Sequence, residues 1–167
     1  MTNIENDEYL KKCIQEYKEC NDDNFVKKYI LFYELSEAYY GHREESPEYL
    51  ALSEEYAKKN IELAPNVLEE YKRKREENGG KNIFSSKDCV FLFSEDEDDE
   101  ECQSYSPGVW YGMSSISRLR IIYTKSNRIE EAIKICDYGI KYYTDFDRPQ
   151  AVEELKKFKE KLVKKLK

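Results

Sequence analysis

Residues 113–144 read MSSISRLRIIYTKSNRIEEAIKICDYGIKYYT, two apolar stripes of helical spacing separated by a few polar residues. Ile116, Leu119 and Tyr123 recur at intervals of three and four, as do Ile129, Ala132, Ile133, Cys136 and Ile140. Each set therefore falls on one face of a helix. A connection this short gives the second helix no route except back along the first, so the two must form an antiparallel pair. Asn127 and Glu130 stand at capping-box spacing, which predicts that Asn127 caps the second helix. Upstream, Ser106 followed by Pro107 marks the start of the first, with Trp110 and Met113 continuing its stripe.

The same periodicity runs through most of the chain. Leu10, Cys13, Ile14 and Tyr17 make one buried stripe. NDDNFVKKYILFYELSEAYYG opens on Asn and Asp caps and places Phe25, Tyr29, Phe32, Tyr33, Leu35, Tyr39 and Tyr40 on more than one face, which predicts a central helix with several neighbours. Ser46 and Pro47 start another helix, expected to bury Tyr49, Leu52, Tyr56 and Leu63 and to end at Ala64, because Pro65 has no N–H to donate. Pro65 then predicts a short, exposed helix that stops at Gly79 and Gly80. Asp147 and Gln150 form a further capping box before Val152, Leu155, Phe158, Leu162 and Leu166. Together these predict a mainly α chain of about seven helices, stacked as antiparallel hairpins in a single domain over residues 1–167.

Residues 80–106 interrupt the helices and read as an irregular or short β insertion. The apolar run at 89–93 suits a strand or small hairpin. It leads into seven consecutive carboxylates: Glu95, Asp96, Glu97, Asp98, Asp99, Glu100 and Glu101. These repel one another and bury nothing, so they read first as a solvated loop. Uniform solvation gives all seven similar acidity, which denies them an acid/base division of labour. The run also lacks the central glycine and distal glutamate of an EF-hand. The chain offers no HExxH, CxxC, GxSxG, P-loop or GxGxxG motif. The only histidine, His42, reads as an exposed residue in a helix–helix loop. No catalytic residue, no metal site and no cofactor are therefore expected.

Charge is unevenly distributed. Residues 1–80 carry 12 basic and 19 acidic side chains, residues 81–106 carry 2 and 8, and residues 107–167 carry 14 and 8. An acidic front disfavours direct binding to nucleic acid. The final helix, LKKFKEKLVKKLK, sets seven lysines around its apolar stripe. At residues 147–167 it reads as a basic capping helix, in preference to a membrane or phosphate binder or a dock for the acidic loop. No apolar stretch approaches the length needed to cross a bilayer, and the opening MTNIENDEYL lacks the character of a signal peptide. Five cysteines without a CxxC pair fit free thiols in a reducing compartment, so a cytoplasmic location is expected. Cys13 and Cys20 stand too far apart for a disulfide, whereas Cys89 and Cys102 bracket the acidic run and are placed to staple it under oxidation.

Residues 113–144 resemble a tetratricopeptide repeat, a helix–turn–helix unit of about 34 residues. Ile116, Leu119 and Tyr123 fall on the large apolar positions of its first helix, and Ala132, Cys136 and Gly139 on the packing positions of its second. Arg120 stands where the pattern has a small residue. A degenerate echo covers residues 25–65, with Ser53 and Asn60 at alanine positions. The resemblance implies a concave face that binds proteins or peptides. The family's clamp for carboxyl-terminal peptides uses lysine and asparagine at positions held here by Ser114, Ser117 and Ile121, so chaperone-tail binding is not expected.

The sequence thus points to a non-enzymatic adaptor or regulator that presents a helical groove and an acidic loop to a protein partner. Trp110, Tyr111, Ser114, Ser117, Arg118 and Ile121, together with residues 95–101, are its candidate contacts. The alternative is an acidic inhibitor that mimics nucleic acid and blocks the basic channel of a nucleic-acid-binding protein. The bias toward Asn, Lys, Ile and Tyr, which suits an AT-rich bacterial or phage source, keeps that alternative open.

Overall fold

The computed structural model describes residues 3–77, 107–145 and 149–167. Over these residues the chain is mainly α-helical, with no strand. The expected strand at 89–93, the acidic run, Cys89, Cys102 and the capping residues Ser106 and Asp147 lie outside the described residues. Two compact units form, Met1–Gly112 and Met113–Lys167.

In the first unit, a single 3-10 turn at Ile4–Asn6 leads to α1, Glu8–Glu19. Asp7 caps α1 by accepting the Leu10 N–H at 2.9 Å. Asn24 caps α2, Phe25–Gly41, through the Lys27 N–H at 3.1 Å. As the sequence predicts, Ser46 caps α3, which starts at Pro47, and accepts the Glu48 N–H at 3.2 Å. Each cap satisfies a donor that the first helical turn leaves without an intrahelical partner.

α2 is the central element, packed against both α1 and α3. Leu10 and Cys13 of α1 meet Leu35 of α2, with Ile14, Tyr17, Ala38, Tyr39 and Tyr56 around them. The aromatic side chains form a continuous layer. Tyr17 meets Phe32 at 5.4 Å between ring centroids, Phe32 stacks on Tyr56 at 6.0 Å, and Tyr56 stacks on Tyr39 at 5.9 Å. Such pairs add about 0.5–1.5 kcal/mol each beyond their area burial.

The α2–α3 contact departs from the expected register. Tyr49, Leu52, Tyr56 and Leu63 are only half-buried. The fully buried face of α3 is instead Ser53, Ala57, Asn60, Ala64 and Val67, with Ile61 at its edge. Small side chains let the two backbones approach, and the buried polar ones bond to the facing helix. Ser36 Oγ donates to the Ser53 carbonyl and Ser53 Oγ to the Ser36 carbonyl, both at 2.8 Å. The Asn60 amide donates to the Tyr29 carbonyl at 2.7 Å. The pairing of 36 with 53 and 29 with 60 makes the helices antiparallel. Ser53 and Asn60, two positions where the repeat pattern has alanine, are thus close-contact positions in the fold.

A second departure concerns Pro65. α3 runs unbroken through Pro47–Glu77 with Pro65 inside it, so the two predicted helices are one. An interior proline costs roughly 3 kcal/mol through its missing N–H and its ring clash. Here the ring is exposed, while Ile61 and Ala64 before it and Val67 after it are buried. Burial on both sides of the proline holds the axis continuous. Six α-helices therefore occur among the described residues, against about seven expected.

The second unit contains most of α4, Pro107–Lys125, followed by α5, Ile129–Asp145, and α6, Pro149–Leu166. Asn127 does not cap α5. It has φ 56°, the left-handed conformation that asparagine tolerates, and it closes α4. Arg128 N–H reaches the Tyr123 carbonyl at 2.8 Å and Asn127 N–H the Thr124 carbonyl at 3.2 Å, the paired bonds of a Schellman motif. Ile116, Leu119, Tyr123, Ala132 and Cys136 are all buried, as expected, whereas Ile129, Ile133 and Ile140 are half-buried.

Gly139 marks the close approach of all three helices. A Cβ there would stand 3.1 Å from Ile116 Cγ2 and 2.6 Å from Leu155 Cδ1. Gly139 opposite Leu155 and Asp137 paired with Lys159 at 2.6 Å make α5 and α6 antiparallel, and the short turn at 126–128 folds α5 back along α4. Arg120, at the small-residue position, extends instead over the Phe158 ring, with 4.2 Å from guanidinium carbon to centroid. α6 buries Val152, Leu155 and Leu162, while Leu166, expected on this stripe, is exposed.

Candidate interaction face

α4 is two-sided. Ser115, Ile116, Leu119, Ile122 and Tyr123 form its buried side. Ser114, Ser117 and Ile121 follow one another at steps of three and four on the opposite side, with Arg118 beside them. Ser117 is exposed; Ser114, Arg118 and Ile121 are partly so. The stripe from Ser114 to Ile121 covers two helical turns, about 10 Å.

These groups suit recognition of extended chain. The Ser117 hydroxyl both donates and accepts, and Ile121 adds an apolar contact. Lys125 extends the cationic side toward the end of α4. Thr124 Oγ1, beside this stripe, donates to the Arg120 carbonyl at 2.7 Å. Trp110 and Tyr111 fall in the first turns of α4, but their side chains, like residues 95–101, lie outside the described residues. Of the thirteen candidate contacts, the structure thus brings together Ser114, Ser117, Arg118 and Ile121.

Two polar clusters in the first unit escaped sequence reading. His42 is not exposed: it is 6 % accessible and sits between two carboxylates. Its Nε2 is 2.7 Å from Asp7 Oδ2, and its Nδ1 is 2.5 Å from Glu45 Oε1. Glu45 Oε2 also accepts the Ile4 N–H at 3.1 Å. Hydrogen bonds to Asp7 and Glu45 raise the affinity of His42 for its proton, and the same bonds hold both carboxyls below their usual range. The local signal was the i, i+3 spacing of His42 and Glu45. Asp7 is 35 residues away and left no local trace.

The second cluster joins Tyr9, Cys13 and Glu34. Burial pushes the Glu34 carboxyl up, and burial with the nearby Glu34 charge pushes the Cys13 thiol up to about 11. Burial and the same carboxylate raise Tyr9 as well. The thiol lies 4.0 Å from Glu34 Oε2 and stays protonated at neutral pH, which makes it a poor nucleophile. Among the described residues no group of three or more His, Cys, Asp and Glu side chains is placed to hold a metal ion, and no helix is long and apolar enough to cross a membrane. Comparison of the chain with protein-family models, with curated proteins and with solved structures gave no match.

Proposed function

We propose that the chain is a non-enzymatic interaction protein, built in the manner of tetratricopeptide repeats, that offers the outward side of α4 to an extended segment of a protein partner. The observation that carries this reading is the division of α4: five core residues on one side, and Ser114, Ser117, Arg118 and Ile121 accessible on the other. The antiparallel order of α4, α5 and α6 gives the helix a rigid base, with Gly139 fixing the closest approach. The partner segment is expected to lie along Ser117 and Ile121, and the protein is expected to act in the cytoplasm.

The test is affinity capture from the native host with three full-length baits: the wild-type chain, a Ser117→Glu/Ile121→Asp variant, and a variant in which residues 95–101 are changed to Gln and Asn. Circular dichroism first verifies that the variants keep their helix content. The α4 variant should lose the wild-type partner, and the neutralised variant should retain it. Retention by the α4 variant would overturn the reading. Loss confined to the neutralised variant, with a basic nucleic-acid-binding protein as partner, would establish the acidic-mimic alternative.

A further inference from the structure

We propose that Asp7, His42 and Glu45 form a proton-held clasp that ties the N-terminal turn and the start of α1 to the corner between α2 and α3, and that loosens as pH rises above the ordinary histidine range. A neutral imidazole ring has one N–H and one bare nitrogen. In this structure both nitrogens face a carboxylate oxygen, at 2.7 Å and 2.5 Å. Whichever nitrogen lacked a proton would point its lone pair at an oxygen lone pair. The arrangement is therefore complete only when the ring is an imidazolium, or when one of the two carboxyls holds the extra proton. Either way, closing the clasp above the ordinary histidine range takes one proton from solution.

The surroundings make this proton the deciding one. Asp7 reaches the ring from the start of α1 and Glu45 from the α2–α3 corner. Hydrogen bonds and charges of these two carboxylates are the leading influences on His42, and the amino-terminal charge acts in turn on Glu45. The neighbouring charges are engaged elsewhere: Arg43 pairs with Glu44 at 3.3 Å and lies 4.2 Å over the Tyr40 ring, and Glu8 pairs with Lys11 at 2.8 Å. Both carboxylates also hold chain segments in place. Asp7 caps α1 through Leu10, and Glu45 receives the Ile4 N–H. Loss of the clasp thus loosens the element that buries Leu10 and Cys13 against Leu35.

The sign follows from linkage. His42 binds its proton more tightly in the folded chain than the usual 6.5, so its contribution is complete below pH 6.5 and disappears as pH rises to the folded midpoint. Asp7 and Glu45 are shifted downward, so their contribution is present above the usual 3.8 and 4.5 and disappears as pH falls through their folded values. The clasp is tightest from about pH 4.5 to 6.5. Above that window its closure weakens by up to about tenfold per pH unit until the folded midpoint is passed.

His42 is the only histidine in the chain, so its ring proton signals in a one-dimensional NMR titration need no assignment. The full-length chain is titrated from pH 5 to 9. In parallel, hydrogen exchange of residues 4–19 is followed over the same range, corrected for the intrinsic pH dependence of exchange. The wild-type midpoint should lie above 6.5, and protection of residues 4–19 should decline between 6.5 and that midpoint. His42→Gln should show lower protection at pH 6 and no such decline. Glu45→Gln keeps the ring and should lower its midpoint, which provides the test if the His42 variant does not fold. A wild-type midpoint at or below 6.5, protection that ignores pH, or an unchanged decline in His42→Gln would each overturn the proposal.

Discussion

Replacing Gly139 by alanine adds one methyl group where α4, α5 and α6 come closest. In an open helical site this exchange stabilises by about 1 kcal/mol, because glycine has the greater backbone freedom to lose. At Gly139 the new Cβ would lie 2.6 Å from Leu155 Cδ1 and 3.1 Å from Ile116 Cγ2, both inside normal contact. Ile116 and Leu155 are themselves buried, at 2 % and 8 % exposure, so neither can swing into solvent. Overpacking of this kind costs roughly 1–3 kcal/mol. Subtracting the propensity gain leaves a net loss of about 1 kcal/mol, or a fall of about 5 °C in Tm for a unit of this size. Thermal melting by far-UV circular dichroism measures it, and hydrogen exchange of residues 129–145 assigns it to α5. Gly41→Ala is the control: Gly41 lies in α2 and nothing beyond its own stretch of helix stands within 4 Å of an added Cβ, so that variant should hold or raise Tm. The double variant Gly139→Ala/Leu155→Val should lose less than the two single variants together, since removal of the crowding methyl couples them. If Gly139→Ala melts as high as the Gly41→Ala protein, the close-approach argument is wrong.

Two further perturbations probe the first unit. Pro65→Ala restores an N–H to the Ile61 carbonyl and removes a ring that is exposed, so it should stabilise by roughly 1–3 kcal/mol; a lower Tm would show that the ring packs against something that matters. Asn60→Asp replaces the amide that donates to the Tyr29 carbonyl with a fully buried carboxylate facing a carbonyl oxygen. It should cost roughly 3 kcal/mol or more at pH 7, against about 1–2 kcal/mol for Asn60→Ala. Burial raises the affinity of the new carboxyl for its proton, so the loss should shrink on acidification to pH 5 in urea titrations. A penalty that does not change with pH would refute that account.

What the sequence disclosed depended on where each residue's partner lies. The α4–α6 stripes were legible because Ile116, Leu119, Cys136, Leu155 and Leu162 are apolar residues whose spacing alone announces burial. α3 was misread by about one residue. Tyr49 and Tyr56 look like core, but Ser53 and Asn60 hold the innermost positions because their hydrogen-bonding partners are on α2. Pro65 reads as a stop in any local window, and only burial of Ile61, Ala64 and Val67 explains why the helix continues. Asn127 suits either end of a helix, and its positive φ decided which. His42 looked like loop because one of its two carboxylates is the cap of α1, 35 residues away in sequence. The outward side of α4 was readable as a stripe, since Ser114, Ser117 and Ile121 lie opposite a strongly apolar face.

The reciprocal serine bonds and the Asn60 amide also determine how far α3 can slide along α2. A hairpin closed by Leu and Tyr alone would keep most of its burial after slipping one turn. Here a slip of that size would leave the Ser36 and Ser53 hydroxyls and the Asn60 amide in a closed interface without the carbonyls they now meet, each at a cost of about 1–3 kcal/mol. The polar stripe therefore behaves as a key cut for one alignment. Residues added to or removed from the corner at 42–46 would have to be absorbed in the turn, because the opposition of Ser36 to Ser53 and of Tyr29 to Asn60 admits no other register.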